Sequence, residues 1–277
     1  MLAAALREAG HSVTAASGVS AESVSRIETL LSGVPRQEPE QVVRAADLVL
    51  LTVPDDSLAP LCAGLATVGA FRPGQLVVHT AGRFGVGILS DAVAAGALPL
   101  AIHPAMTFTG TSLDRSRLAD SVFAVTAPTA LLPIAQALVV EMGGEPLVVA
   151  EEDRPAYHAA LVHGANHAVT LVAQAAAVLA RLGVEEPGRV LAPLVHASVE
   201  NALAGAAGSV ASLTGPVVRG DAGTVAAHLA ALAAVPETRA AYRAMARATA
   251  DLALEGGRIG PAQYADLIAT LGLGEDS

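Results

Sequence analysis

Three short apolar runs in the first half of the chain each stop at a polar tip, and this repetition restricts the fold more than any other feature. Asp47-Leu48-Val49-Leu50-Leu51-Thr52-Val53 runs into Pro54-Asp55-Asp56, and Gln75-Leu76-Val77-Val78 into His79-Thr80-Ala81-Gly82. Pro99-Leu100-Ala101-Ile102 runs into His103-Pro104-Ala105-Met106-Thr107-Phe108. The runs show no apolar–polar alternation and helix-like stretches separate them, as expected of strands covered on both faces in a parallel sheet. In open α/β sheets, ligands bind beyond the carboxyl ends of such strands. The polar tips are therefore the place to look for a site.

Around these runs, residues 11–17, 122–126 and 146–149 also read as strands. They alternate with helical stretches over 2–9, 21–31, 40–46, 57–68, 85–95 and 129–142, the doubly wound pattern. Near Glu151 the character changes and strand-like runs cease. Residues 154–182 read as one long helix, followed by helices near 187–207, 223–234, 236–255 and 261–271, with Pro187, Pro216 and Pro261 as punctuation. The expectation is an α/β Rossmann-like parallel sheet over 1–150, followed by an all-α domain over 151–277.

Hydrophobic residues make up 53% of the chain and aromatics only 3%, so its core must be built from Ala, Val and Leu. No stretch reaches the roughly 20 uninterrupted apolar residues that a membrane span needs. With a formal charge of −10 and no dense basic patch, nucleic acid is not the expected partner. Cys62 is the single cysteine and sits in an apolar helical stretch, which suits a buried packing thiol in a reducing cytoplasm. All 16 basic residues are arginine. The absence of lysine excludes a Schiff-base lysine, a P-loop lysine and a lysine general acid.

A dinucleotide-binding fold ordinarily opens with a strand, a glycine-rich turn and a helix. Here the sequence opens inside the helix, with no GxGxxG before it. The missing strand would lie centrally in the sheet, and about five apolar residues at roughly 1.5–3 kcal/mol each would go with it. That sum, on the order of 10 kcal/mol, rivals the stability of a whole domain. The expectation is a reading frame that extends upstream of Met1 by roughly 10–25 residues, encoding an apolar strand and a glycine turn.

The succession VPDD, HTAG, LAIHPAMTF, HGANH within a long helix, and LTGPVVRGD resembles a family of Rossmann-like proteins with a C-terminal helical domain of unknown function, number 2520. These are relatives of pyrroline-5-carboxylate reductase, ketopantoate reductase and 6-phosphogluconate dehydrogenase. The resemblance implies an NAD(P)-linked oxidoreductase fold and no particular substrate. It also implies that Val53, Pro54 and Asp55 pass the nicotinamide ribose, although Asp55 alternatively caps the following helix. Small-residue helical domains of the related reductases imply a homodimer.

His79, Thr80 and Gly82 are read as cofactor contacts, since Gly82 permits close backbone approach and Thr80 carries a hydroxyl; an ordinary strand-to-loop turn is the alternative. His103, at a strand end and held before a proline, suits acid–base work. His163, Asn166 and His167 form the second cluster, with 163 and 166 on one face of a helix and 163 and 167 one turn apart. By resemblance His163 occupies the place of a catalytic lysine and Asn166 orients substrate. Two histidines at i, i+4 also invite a metal, but no third ligand is signalled and none is expected. Thr107 and Arg219 are substrate-binding candidates, Arg219 as a clamp for carboxylate or phosphate. Local pairing of Arg219 with Asp221 is the alternative. The second expected strand ends in Ser17-Gly18-Val19-Ser20 rather than in a carboxylate, which favours NADP, with NAD as the alternative. Ser17 and Ser20 could hold the 2′-phosphate, or Ser20 could simply cap the next helix.

These residues together suggest hydride transfer between NADP and a small C=O or C=N compound, with His103 or His163 as proton donor. A non-catalytic dinucleotide- or ligand-sensing module is the alternative, and a metal-dependent hydrolase a third reading.

Overall fold

The computed structural model of the chain describes residues 1–108, 113–204 and 212–272. The chain folds into two compact units, Met1–Gly164 and Ala165–Ser277. In the first, chain order runs α1 (Leu2–Glu8), α2 (Ala21–Leu30), α3 (Pro39–Ala45), β1 (Leu48–Leu51), α4 (Asp55–Thr67), β2 (Leu76–His79), α5 (Ser90–Ala94) and β3 (Leu98–Pro104). It continues with α6 (Leu113–Ala119), β4 (Val122–Thr126), α7 (Leu132–Glu141), β5 (Glu145–Val148) and α8 (Arg154–Leu161).

The three apolar runs become neighbouring parallel strands, with Leu50 opposite Val78 and Val78 opposite Leu100. Strand geometry sends successive side chains to opposite faces. Val78, Leu100, Ile102, Phe123 and Val125 accordingly join Leu2 and Leu6 of α1 and Leu138 and Val139 of α7 in one cluster. Val77, Val49 and Leu51 pack on the other face with Leu58, Cys62 and Leu65 of α4 and with Leu89 and Ala92. Both faces are dry, which is why the runs read as continuous rather than alternating. Cys62 is fully buried, and burial raises its thiol pKa. The expected packing role is the one it has.

The sheet order is β1-β2-β3-β4-β5, and the sheet is mixed rather than wholly parallel. β4 runs antiparallel to β3, with Pro104 opposite Phe123 and the Ala105 N–H donating to the Val122 carbonyl at 2.9 Å. The segment between them leaves and re-enters the sheet at the same end, so β4 must reverse. α6, part of that segment, has no counterpart in the sequence reading. Residues 11–17 form no ladder either. Ala16 makes an isolated parallel bridge to Arg36, and among the described residues no strand lies on the far side of β1. An extended segment without a neighbouring strand has nothing to pair with, so the expected second strand stays a single bridge.

The expected helix over 85–95 is a 3₁₀ turn, Val86–Leu89, followed by α5. The long helix over 154–182 is interrupted by a π-helical turn, Val162–Asn166, before α9 (His167–Arg181). The second unit continues with α10 (Pro187–Ala204), α11 (Ala222–Ala231), α12 (Pro236–Glu255) and α13 (Pro261–Leu271). Residues 205–207 of the expected helix near 187–207 lie outside the described residues. The core of this unit comes from Val217, Val225, Leu229, Ala250, Leu267 and their neighbours.

Phe123 is the largest apolar side chain completely buried in the sheet, and a methyl group on Gly144 would stand 2.4 Å from its ring. Phe123→Ala should therefore lower unfolding stability by about 3–5 kcal/mol. Denaturant titration measures this; a loss below about 1 kcal/mol would contradict the packing described.

Candidate functional site

β1, β2 and β3 are parallel, so their polar tips gather at one end of the sheet. At β2 the ring of His79 is fully buried. Its Nε2–H donates to the Gly85 carbonyl at 2.8 Å, and its Nδ1 accepts the Ala81 N–H at 3.2 Å. A carbonyl can only accept and an amide N–H can only donate, so these two bonds select one neutral tautomer. The ring shapes the 79–85 turn, in which Ala81, Gly82 and Gly85 are buried and Arg83 is exposed. Burial, aided by the charge of Arg154, lowers its pKa to about 4.

His103, near the end of β3, stands beside this turn. Its Nδ1 lies 3.1 Å from the Tyr157 hydroxyl, and the His158 ring is edge-on at 6.0 Å between centroids. A methyl group on Gly82 would stand 2.5 Å from His158 Cδ2 and 2.9 Å from His103 Nε2. Gly82 is thus required by close approach. Burial first, then Arg154 and His158, press the His103 pKa down to about 4, against the opposing charge of Asp55.

Asp55 opens α4 but caps nothing; its carboxylate accepts from Arg83 Nε at 3.1 Å. The capping alternative therefore gives way to an ion pair, and Arg83 also lies 4.3 Å above the Phe84 ring. Val53 and Pro54 form the bend between β1 and α4, where the Pro54 carbonyl accepts the Ser57 N–H at 2.9 Å. From the turn after β5, Glu151 takes the N–H groups of Val86 and Gly87 at 2.7 and 2.9 Å.

Sequence reasoning read α8 as part of a longer helix but singled out none of its side chains. Arg154, Tyr157 and His158 fall at i, i+3 and i+4, one face of a helix, and that spacing was the available signal. Arg154 is completely buried. Its Nε donates to Thr126 Oγ1 at 2.7 Å and its Nη2 to the Ala101 and Ala124 carbonyls at 2.8 and 3.1 Å. Among the described residues its Nη1 finds no hydrogen-bond acceptor.

The remaining candidates are dispersed along the chain. Ser20 caps α2, accepting the Ser23 N–H at 3.1 Å. Ser23 Oγ also receives Arg26 Nη2 at 3.3 Å, while Ser17 precedes this cluster. Thr107 is exposed just after β3. His163 and Asn166 lie in the π turn and His167 opens α9. The shared face expected for 163 and 166 assumed 3.6 residues per turn, which a π turn exceeds. Arg219 is the exposed last residue of a 3₁₀ turn whose Val217 and Val218 are buried. Asp221 does not pair with it but caps α11, accepting from Thr224 N and Oγ1 at 2.9 and 2.6 Å. Among the described residues no group of three metal-ligating side chains converges, and no helix is long and apolar enough to cross a membrane.

Residues 1–104 match the model of a Rossmann-like domain, and residues 121–249 match DUF2520, a domain of unknown function. This is the combination that the sequence motifs suggested. No protein of curated function matches the sequence. Among solved structures, a Bacteroides fragilis protein assigned as an NADP oxidoreductase superposes with a TM-score of 0.73 at 22% identity, covering 90% of this chain and 93% of that one. An imine reductase from Myxococcus stipitatus in complex with NADP+ gives 0.60 at 18%, covering 98% and 95%. Plasmodium falciparum pyrroline carboxylate reductase with NADP bound gives 0.58 at 12%, covering 96% and 93%. The likeness is one of fold.

The depressed histidines make stability depend on pH. Between about pH 6.5 and 4 the unfolded chain binds protons at His79 and His103 that the folded chain does not. Stability must therefore fall as pH drops through that window. Urea midpoints at pH 7, 5.5 and 4.5 should decline in that order, and His103→Gln should flatten the decline. A midpoint that is constant from pH 7 to 4.5 would contradict the assigned charge states.

Proposed function

We propose that the chain is an NADP-dependent oxidoreductase that transfers hydride to or from a small C=O or C=N compound. The observation that carries this reading is a neutral imidazole, His103, set against Gly82 at the carboxyl end of the sheet and backed by Tyr157. A neutral imidazole can give a proton to an oxygen or nitrogen on which charge develops. The fold shared with NADP-bound reductases supports the reductant class.

The residues present fit two parts of the cofactor. Ser20, Ser23 and Arg26 form a hydrogen-bonded group at the start of a ten-residue helix, suited to a 2′-phosphate, with Ser17 beside it. Val53, Pro54, Asp55, Thr80 and Gly82, with the backbone of His79, suit the nicotinamide ribose. No residues of this sequence supply the glycine turn for the pyrophosphate. When bound, the dinucleotide would supply or accept hydride. In the first unit Thr107 would contact substrate and His103 move a proton; Asn166 and Arg219 are proposed for substrate contact, and His163 with His167 for acid–base work, each in its own place. Residues 1–150 would serve the dinucleotide and 151–277 the substrate and self-association. The buried single thiol suits the cytoplasm.

NADPH titration, followed by an oxidation assay across a carbonyl and imine panel, tests this reading. Binding without turnover would replace it with a dinucleotide sensor. Arg26→Ala removes a charge-assisted contact worth about 1.5–3 kcal/mol, so NADPH affinity should drop roughly 10- to 100-fold while NADH affinity stays unchanged. An equal loss for both cofactors would refute the 2′-phosphate assignment.

The proposal includes a homodimer. α9 and α10 bury none of their residues, and Val169, Leu182, Leu194 and Leu203 are 70, 75, 66 and 80% exposed. Exposed apolar side chains in such number on two helices that pack on each other mark an association surface. A second copy presenting the same face would cover it isologously. Leu194→Glu with Leu203→Glu should convert a dimer to a monomer in light scattering; an unchanged mass would contradict this.

A further inference from the structure

Arg154 is a completely buried cation that makes no ion pair among the described residues. An uncompensated buried charge costs several kcal/mol. Packing alone does not account for it, because an apolar side chain could fill the space. What the charge does is visible on α8. Tyr157 stands one turn further along the same face, and its hydroxyl reaches His103 Nδ1 at 3.1 Å. The opposite ring nitrogen, Nε2, is the one beside Gly82. Phenol and imidazole therefore form one line that ends at Nε2 against the buried Gly82, with a fixed positive charge behind it.

We infer that Tyr157 and Arg154 are positioning residues of a proton relay in which His103 Nε2–H is the catalytic donor. The inference rests on the hydride-transfer reading above. As the substrate oxygen or nitrogen gains electron density from hydride of a reduced nicotinamide dinucleotide, it takes the proton from Nε2. The Nε2–H bond breaks, an Nδ1–H bond forms and the Tyr157 O–H bond breaks. After product leaves, Nε2 takes a proton from water and Nδ1–H returns its proton to the phenolate beside the Arg154 guanidinium, which restores the Nε2–H tautomer. The imidazole is neutral before and after, so it never carries the charge that its surroundings forbid. Those surroundings are Asp55 at the start of α4, His79 of β2, and Arg154, Tyr157 and His158 of α8. Glu151, nearest to His79 and Arg154, is committed to Val86 and Gly87. Burial raises the Tyr157 pKa above the usual phenol value and Arg154 pulls it back, which keeps the proton on the phenol until it is needed.

The relay requires one direction for the Tyr157–His103 bond, with the phenol donating and Nδ1 accepting. ¹⁵N NMR of the imidazoles in the full chain at pH 7 should show His103 as the Nε2–H tautomer. Tyr157→Phe should shift the Nδ1 resonance. An Nδ1–H tautomer overturns the relay, whether or not turnover is found. If an active substrate is identified, Tyr157→Phe should lower kcat by about 10²–10⁴ with KM little changed. Because that variant could also disturb packing, 3-fluorotyrosine at 157 provides the second arm. The fold is kept, and the alkaline limb of the kcat profile should move down with the phenol pKa. An unmoved limb overturns the relay. Absence of turnover together with the Nε2–H tautomer overturns the hydride-transfer reading and, with it, the role of the relay, while the bond direction stands.

Discussion

The guanidinium of Arg154 holds the first unit together where β3, β4 and α8 meet. Its bonds reach Ala101 of β3 and Ala124 and Thr126 of β4, and Thr126 donates in turn to the carbonyl of Val149 just beyond β5 at 2.6 Å. One side chain thus fixes the start of α8 against three strands. Because β4 runs antiparallel to β3, its carboxyl end lies alongside Ala101 rather than at the far end of the sheet. That reversal is what brings acceptors from both strands within reach of a single fork. With α8 fixed in this way, Tyr157 is delivered to His103 and His158 to the face of Gly82.

The electrostatics follow from the same placement. A buried cation repels protons from nearby imidazoles, and both His79 and His103 respond. Two carboxylates could have cancelled its field. Asp55 is held by Arg83, whose second bond goes to Asp56, and Glu151 is spent on two backbone N–H groups. Gly85 makes the Glu151 contact sterically feasible, since a methyl group there would collide with the carboxylate. The loop after β2 is therefore tuned twice by missing side chains: once at Gly82 to admit the histidines, and once at Gly85 to admit the carboxylate. A completely buried arginine with no direct ion pair among the described residues, acted on by Glu151 only at a distance, breaks ordinary packing rules in one confined place. Such places are where function is to be expected.

The sheet and its tips were legible because burial on both faces leaves a signature of uninterrupted apolar residues, and because His79, Gly82 and His103 fall where those runs end. Three things were not legible. Direction of pairing depends on where a connecting segment returns, so β4 read as just another strand. Ladder formation depends on a neighbour, so residues 11–17, apolar and polar in suitable mixture, still made only the Ala16 bridge. The α8 face was hidden for a third reason. Arg154, Tyr157 and His158 look like the polar side of a surface helix, and a charged residue is ordinarily read as solvated. Nothing in the local pattern announces that this arginine points inward, since its acceptors, two main-chain carbonyls and the Thr126 hydroxyl, lie more than twenty residues away in sequence. Conversely, Asp221 was read as a local partner of Arg219 and the structure uses it as a cap, while Ser20 takes the capping role that was one of its two readings.

The absence of lysine bears on this design in a way that composition alone would not suggest. A buried ammonium sheds its proton readily as its pKa falls, whereas a guanidinium stays charged. A lysine at position 154 would shed its proton more readily on burial, and with it would go the contribution, second to burial, that Arg154 makes to the low His103 pKa. The guanidinium fork also satisfies carbonyls on two strands at once, which a single ammonium nitrogen on a flexible stem does less rigidly. Arginine therefore supplies both a fixed geometry and a charge that does not titrate. The orphaned Nη1 is consistent with that division of labour. Nε and Nη2 serve the fold, and the remaining donor leaves the positive charge only partly quenched, on the side chain whose field His79, His103 and Tyr157 all experience.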